Sequence, residues 1–174
     1  LQRIVRDYCV NSGKKIKLQI SGGETELDKN VSEKLGGPLK HLVRNAMDHG
    51  IESIEKRLET GKGEEGSIHL RAFHGEGYVF IEVQDDGGGI DSKVILNKAF
   101  AKGLIDEKSE LDEQETFRLL FHAGFSTAEN VSDISGRGVG MDVVRQEIES
   151  LRGSIFISSE VGKGSTFQIK LPLT

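Results

Sequence analysis

Cysteine, proline and basic residues in excess are all scarce in this 174-residue sequence, and each scarcity removes a class of protein. One cysteine, Cys9, excludes an intramolecular disulfide and fits a reducing compartment. It falls among apolar positions of a predicted helix and reads as a small buried residue rather than a reactive thiol. Two prolines, with 36% apolar and 29% charged residues, do not make a disordered composition. No apolar run approaches the roughly 18–20 residues of a membrane span, and no charged-then-apolar leader opens the chain at Leu1. The expectation is a piece cut from a larger intracellular, cytoplasmic protein, with no direct membrane insertion. The net charge of −5 comes without a basic stripe, which argues against a nucleic-acid partner. The length suits a single domain over residues 1–174.

Glycine, by contrast, is abundant: 22 residues, or about 13% against an average near 7%. It clusters at 86–89, 136–140 and 162–164. Around these clusters the apolar spacing predicts helices over 1–12, 31–50, 51–59, 92–102, 112–121 and 139–151. The long helix is expected to break near Gly36, Gly37 and Pro38. Strands are predicted at 15–20, 67–73, 78–83, 154–158 and 165–171, with hairpins through Gly75–Gly77 and Val161–Gly164. Hairpins make antiparallel pairs. The fold class is therefore an α+β (α/β) two-layer sandwich, with a mixed sheet of about five strands and helices on one face.

Four segments carry candidate chemistry. In His41-Leu-Val-Arg-Asn-Ala-Met-Asp-His-Gly50, a spacing of about 100° per residue gathers His41, Arg44, Asn45, Asp48 and His49 on one helix face. Such a face can orient a hydrated Mg²⁺ beside phosphates, and it is equally a solvated surface. In Val79–Asp91 an apolar strand runs into Asp85, Asp86 and Gly87–Gly89. A carboxylate there can accept from an exocyclic amine, and glycines allow a flat ligand to approach; a plain strand-to-helix turn has the same composition. Gly136-Arg-Gly-Val-Gly-Met-Asp142 places bare N–H groups at a helix start, an anion site. It is neither a dinucleotide fingerprint nor a Walker loop, since no strand leads into it and no Gly-Lys-Ser/Thr follows. Gly162-Lys-Gly-Ser-Thr-Phe167 reads most simply as a hairpin turn.

Taken in this order and at these intervals, the four segments resemble the ATP-binding boxes shared by histidine kinases, gyrase, chaperones of the ninety-kilodalton class and MutL. Within that family, His41–Gly50, Gly124-Phe-Ser-Thr-Ala-Glu129, Ser135-Gly-Arg-Gly-Val-Gly-Met-Asp-Val-Val144 and Thr166-Phe-Gln-Ile-Lys-Leu-Pro-Leu-Thr174 are most similar to the chemotaxis histidine kinases. The resemblance covers essentially the whole chain. It implies ATP and Mg²⁺ as cofactors, bound between helices and a lid at roughly 90–137.

Residue by residue, the resemblance makes Asp85 the acceptor for the adenine amine, and Gly87 and Gly89 the glycines that admit the base. It makes Asn45 the Mg²⁺ ligand, with His41 beside it at the metal and His49 flanking the phosphates. Asn45, Asp48, His49, Lys98, Ser126, Thr127, Gly136, Arg137, Gly138, Val139, Gly140 and Met141 complete the nucleotide contacts, and Ser165 or Thr166 supplies a hydroxyl below the adenine. Gly88, Ala123 and Ser165 depart from residues usual in the family, and none removes a group the chemistry needs.

The implied reaction is γ-phosphoryl transfer from ATP·Mg²⁺ to a histidine on a separate phosphotransfer domain of the same or a partner chain. The implied catalytic set is His41, Asn45 and His49, with His41 orienting or deprotonating the incoming imidazole. Dimerisation and receptor-coupling domains are implied outside this chain. None of His41, His49, His69, His74 and His122 has the context of the phosphoacceptor. Two other classes compete. An ATP-driven clamp would need a Glu where His41 stands. A non-catalytic module would bind ATP without transferring phosphate.

Overall fold

The computed structural model describes residues 1–106, 110–125 and 140–173. Helix α1 (Gln2–Ser12) ends as the sequence predicts, with Gly13 in the left-handed conformation and its N–H on the Cys9 carbonyl. Strand β1 (Lys15–Ser21) then leads to the long helix α2 (Lys29–Asn45), whose first turn is capped by the Asp28 carboxylate on the Asn30 N–H. The expected break at Gly36–Pro38 does not occur. Pro38 forfeits one backbone bond, but it is buried with Leu35, Leu42 and Val43 on the face that packs into the core, and that packing holds the helix straight through. Cys9 is half-buried against the same core rather than fully enclosed.

The helix instead changes character after Asn45. Residues Ala46–Gly50 form a π turn closed by the Ile51 N–H on the Ala46 carbonyl, 2.8 Å. Such one-turn π insertions recur at functional sites. Beyond it lie α3 (Ile54–Glu59), β2 (Glu65–Gly75), β3 (Tyr78–Asp85), α4 (Ser92–Ala101), α5 (Glu113–Arg118), α6 (Met141–Ser150), β4 (Ser154–Glu160) and β5 (Gly164–Pro172).

The five strands form one mixed sheet in the order β1-β2-β3-β5-β4. β1 and β2 are parallel, and the other neighbours are antiparallel. Alternation assigns one sheet face to the helices: Val79, Ile81, Val83 and Asp85 of β3 are buried, as are Ser165, Ile169 and Leu171 of β5. Leu35, Leu42, Val43 and Met47 of the long helix and Val144 and Ile148 of α6 complete the core. The expected two-layer α+β sandwich is the observed one.

This arrangement brings three things together. The end of β3 delivers Asp85, the π turn delivers Gly50, and the start of α6 delivers Met141 next to Asn45. No helix among the described residues is long and apolar enough to cross a membrane.

Candidate functional site

Asp85 is the last residue of β3 and lies 5% exposed. Its register partner is Ser165 of β5, so the two side chains share the helix-covered face. Its Oδ1 accepts the Gly87 N–H at 2.9 Å. Burial is the main reason its carboxyl is pushed up to about 6, against the pull of the Gly87 and Ser165 N–H groups and with Asp86 and Glu52 adding repulsion. A buried carboxylate with a second oxygen to offer suits an amine donor.

The glycines at this turn serve close approach of chain to chain. A Cβ on Gly87 would stand 1.9 Å from the Gly50 carbonyl oxygen, and one on Gly50 would stand 2.9 Å from Asp85 Oδ2. The Gly88 N–H donates to the Gly50 carbonyl at 3.0 Å. Gly89 has φ +76°, and a Cβ there would meet the Glu160 carbonyl oxygen at 2.3 Å. The turn after Asp85 is therefore welded to the π turn after Asn45, so both ends of the site share one wall.

Along α2 the polar face is divided. The Asn45 amide nitrogen donates to Met141 Sδ, 2.9 Å, at the first turn of α6. That contact leaves Asn45 Oδ1 as an acceptor directed by a fixed amide. His41, one turn earlier, is half-buried; burial first and Arg44 second hold its imidazole below its ordinary pKa, so it is neutral at pH 7. Arg44 Nε is buried and has no hydrogen-bond partner among the described residues. His49 is exposed.

Asp48 departs from the expectation. Its carboxylate lies beside the Tyr8 hydroxyl and the Lys14 ammonium, on the α1 side rather than with Asn45. Burial chiefly, then Asp48, raises the Tyr8 phenol well above its usual range. The reason is the π turn: past Asn45 the spacing is no longer 100° per residue, so the sequence-based helix face does not extend to Asp48. Lys14 Nζ caps this turn by donating to the carbonyls of Met47 (2.8 Å), Asp48 (3.4 Å) and Ile51 (2.8 Å).

Of the hydroxyl pair, Ser165 lies on the Asp85 face, bonded to the Ser159 hydroxyl at 2.9 Å. Thr166 pairs with Gln84 on the opposite face of the sheet, because side chains alternate along a strand. Of the two, Ser165 is the one on the face of Asp85. Lys98 in α4 sits over the Phe125 ring, 4.9 Å from its centroid. Gly140 precedes α6 as its N-cap, so the positive end of that helix opens beside Asn45. Ser126, Thr127, Gly136, Arg137, Gly138 and Val139 lie outside the described residues.

The donor set fits Mg²⁺ in one way only. No group of three His, Cys, Asp or Glu able to hold a metal occurs among the described residues. Asn45 would offer a hard cation one amide oxygen, and Mg²⁺ usually takes most of its other ligands from water and substrate phosphates. His41, with a nitrogen donor, suits the metal less well than a reacting imidazole.

Sequence reasoning missed an ionic cluster behind Asp85, in which the buried Arg57 meets the partly exposed Glu52 and Asp86, with Lys62 beside them. In the sequence Arg57 is one charge among several on a short polar helix, and nothing local separates it from Lys56. Tyr8 and Lys14 were missed for the same reason, since their partners lie more than thirty residues away.

Comparison with known proteins agrees with this fold. The family of histidine kinase-, DNA gyrase B- and HSP90-like ATPases matches residues 34–174. The chain is 51% identical over 174 residues to the chemotaxis protein CheA of Bacillus subtilis, covering 99% of this chain and 26% of that protein. It is 49% identical to CheA of Rhizobium meliloti, covering 100% of this chain and 23% of that protein. For the sensor histidine kinase CheAY of Helicobacter pylori the figures are 48%, 99% and 22%. The chain thus spans about a quarter of the length of these relatives. Among solved structures, a histidine kinase domain from an Erythrobacter litoralis blue-light activated histidine kinase shares the fold, with TM-score 0.56 at 18% identity. That match covers 99% of this chain and 62% of the other.

Proposed function

Since the chain belongs to the histidine kinase-, DNA gyrase B- and HSP90-like ATPases, we propose that it is the ATP-binding catalytic domain of a chemotaxis histidine kinase. It binds ATP with Mg²⁺ and passes the γ-phosphoryl group to a histidine on a separate phosphotransfer domain. The parent protein supplies that domain, together with dimerisation and receptor-coupling domains, in the cytoplasm. The observation that carries the reading is the weld between Gly50 and the Gly87–Gly88 turn. It sets the buried Asp85 carboxylate and the Asn45 amide on one continuous wall, which supports reading the first as the amine acceptor and the second as the hard oxygen donor.

In this reading Asp85 accepts the adenine amino group through Oδ2 while Gly87 N–H holds Oδ1. Ser165 supports the base from the same face. Asn45 directs its oxygen toward the metal, held by its amide contact to Met141. Bound Mg²⁺ supplies neutralisation of phosphate charge in an in-line displacement. Arg44 brings to the same helix a cation whose Nε has no partner among the described residues. The acceptor imidazole nitrogen forms a bond to Pγ as the β–γ bridging bond breaks and ADP leaves. His41, neutral at pH 7, is placed to orient that ring or take its proton. Most of the catalysis is positioning, because phosphoryl transfer asks little covalent chemistry of the protein.

The test is ATP binding with and without Mg²⁺, followed by transfer to a supplied histidine phosphotransfer domain. Mg²⁺-enhanced binding and an acid-labile phosphohistidine on the acceptor are expected. Tight ATP binding with no transfer would instead favour a module that uses nucleotide without reacting it.

A further inference from the structure

The cluster behind Asp85 does more than fill space. Arg57 is 3% exposed, yet each of its nitrogens donates. Nε reaches the Gly63 carbonyl at 2.7 Å. One terminal nitrogen reaches Glu52 Oε1 at 3.0 Å and both the carbonyl and Oδ1 of Asp86 at 3.3 Å. The other reaches Asp86 Oδ2 at 3.1 Å and the Glu65 carbonyl at 3.3 Å. Lys62 Nζ donates to Glu52 Oε2 (2.8 Å), to the Asp86 carbonyl (2.9 Å) and to the Gly87 carbonyl (2.7 Å). Asp86 is further pinned to β2, its Oδ1 accepting the Ser67 N–H at 2.8 Å.

One of these contacts bears directly on the site. The Asp86 carbonyl and the Gly87 N–H belong to the same planar peptide and point in opposite directions. Two cations grip the carbonyl, and on the far side the N–H donates to Asp85 Oδ1. Fixing one end of that plane aims the other. The grip fixes the direction of the donor that Asp85 accepts from, which favours the carboxylate orientation that presents Oδ2.

The geometry points to Lys62 and Arg57 as specificity-determining positioning residues: by locking the Asp86–Gly87 peptide they set the Asp85 carboxylate for the amine of adenine. The inference rests on the proposed role of Asp85 and deepens it. Neither residue touches the nucleotide, and their effect appears as discrimination between bases. Inosine triphosphate is the informative probe, since its base carries a carbonyl where ATP carries the amine, and a proton on N1 where adenine has an acceptor, while the ribose and triphosphate are the same.

The experiment measures ATP and inosine triphosphate affinities for the chain and its variants at fixed Mg²⁺. Lys62→Met is expected to lower the ATP-to-inosine-triphosphate affinity ratio about tenfold, the worth of one misaligned hydrogen bond. The enhancement of binding by Mg²⁺ should stay at the wild-type value. Lys62→Arg, which keeps charge and donors, should restore most of the ratio, and Arg57→Lys should lower it in the same direction. Should Lys62→Met fail to fold, Lys62→Gln, with an uncharged donor, is read instead. Equal loss for both nucleotides, or an unchanged ratio, overturns the inference and leaves a purely structural brace. Asp85→Asn separates the two claims. If it leaves the ratio unchanged, or if the wild type does not prefer ATP, the Asp85 reading falls and this one with it. If it collapses the ratio and Lys62→Met does not, only the brace is refuted.

Discussion

Around Asp85 the polar atoms are held by other parts of the chain, whereas along the Asn45 helix several are left for a ligand to use. The carboxylate has the Gly87 N–H, its turn has Arg57 and Lys62 behind it, and its register partner Ser165 is bonded to Ser159. By contrast, Arg44 Nε has no partner among the described residues, His49 is exposed, and Asn45 leans on a thioether. The difference separates two tasks. On the proposed reading, a base of fixed shape meets a pre-set acceptor, which avoids ordering costs at binding. On the same reading, a triphosphate with its metal would bring its own charge and oxygens and complete the other half.

The strongest way to break that contrast is to remove the hard donor that the proposed reading assigns to the open end. Asn45→Ala is expected to lower phosphoryl transfer by about 1,000-fold, as for loss of a group that stabilises transition-state charge. It should abolish the Mg²⁺-dependent part of ATP binding and leave weak metal-free binding, read by calorimetry with and without Mg²⁺. Equal Mg²⁺ enhancement in variant and wild type would remove Asn45 from the metal.

At the closed end, Asp85→Asn is expected to cost about 2–4 kcal/mol of ATP affinity, the scale of a truncated charged hydrogen bond. The same substitution should act oppositely on the ligand-free protein. Burial raises the Asp85 pKa from 3.8 to about 6, so folding favours its protonated form. That contribution is complete below about pH 4 and is lost as pH rises through about 6. Ionisation at neutral pH then leaves a cost of about 3 kcal/mol. Asp85→Asn should therefore unfold later than wild type at pH 7, with the gain shrinking toward pH 4 in denaturant titrations. A variant less stable at pH 7 would mean that the carboxylate supports the fold rather than the ligand.

The smallest expected effect falls on the joint between the two ends. Lys14→Met removes the donor that caps the π turn at Met47, Asp48 and Ile51. A loss of about 1–2 kcal/mol is expected, lowering Tm by about 3–6 °C in a domain of this size. An unchanged melting temperature would show that water caps the turn equally well.

Much of this was legible in the sequence because it is local. The apolar alternation of β3 led straight to Asp85, Gly13 ended α1, and the five strands with their hairpins followed from period-two runs and glycine turns. What was not legible depends on contacts far along the chain or on a change of helical period. Pro38 was expected to break its helix because the sequence does not show the core that absorbs it. Asp48 was grouped with Asn45 because nothing in the residues announces a π turn. Arg57, the most enclosed charge at the site, looks like any solvated arginine until Asp86, twenty-nine residues later, folds against it. Which of Ser165 and Thr166 shares a face with Asp85 is a question of parity that the strand register answers.

The strand order carries a consequence for how the site comes into being during synthesis. β5 is the last strand in the sequence, yet it lies inside the sheet between β3 and β4, and it sets Ser165 opposite Asp85 across about eighty residues. A chain leaving the ribosome therefore presents the β3 carboxylate long before its neighbour exists, with one flank of β3 open as an unpaired edge. Closing so distant a pair is slow relative to forming the β2–β3 hairpin, which needs only a two-residue turn. On the proposed reading, the adenine pocket is finished in one late step. Nucleotide added to nascent chains that stop before residue 164 should find no base site, and binding should begin only once the fifth strand has cleared the exit tunnel.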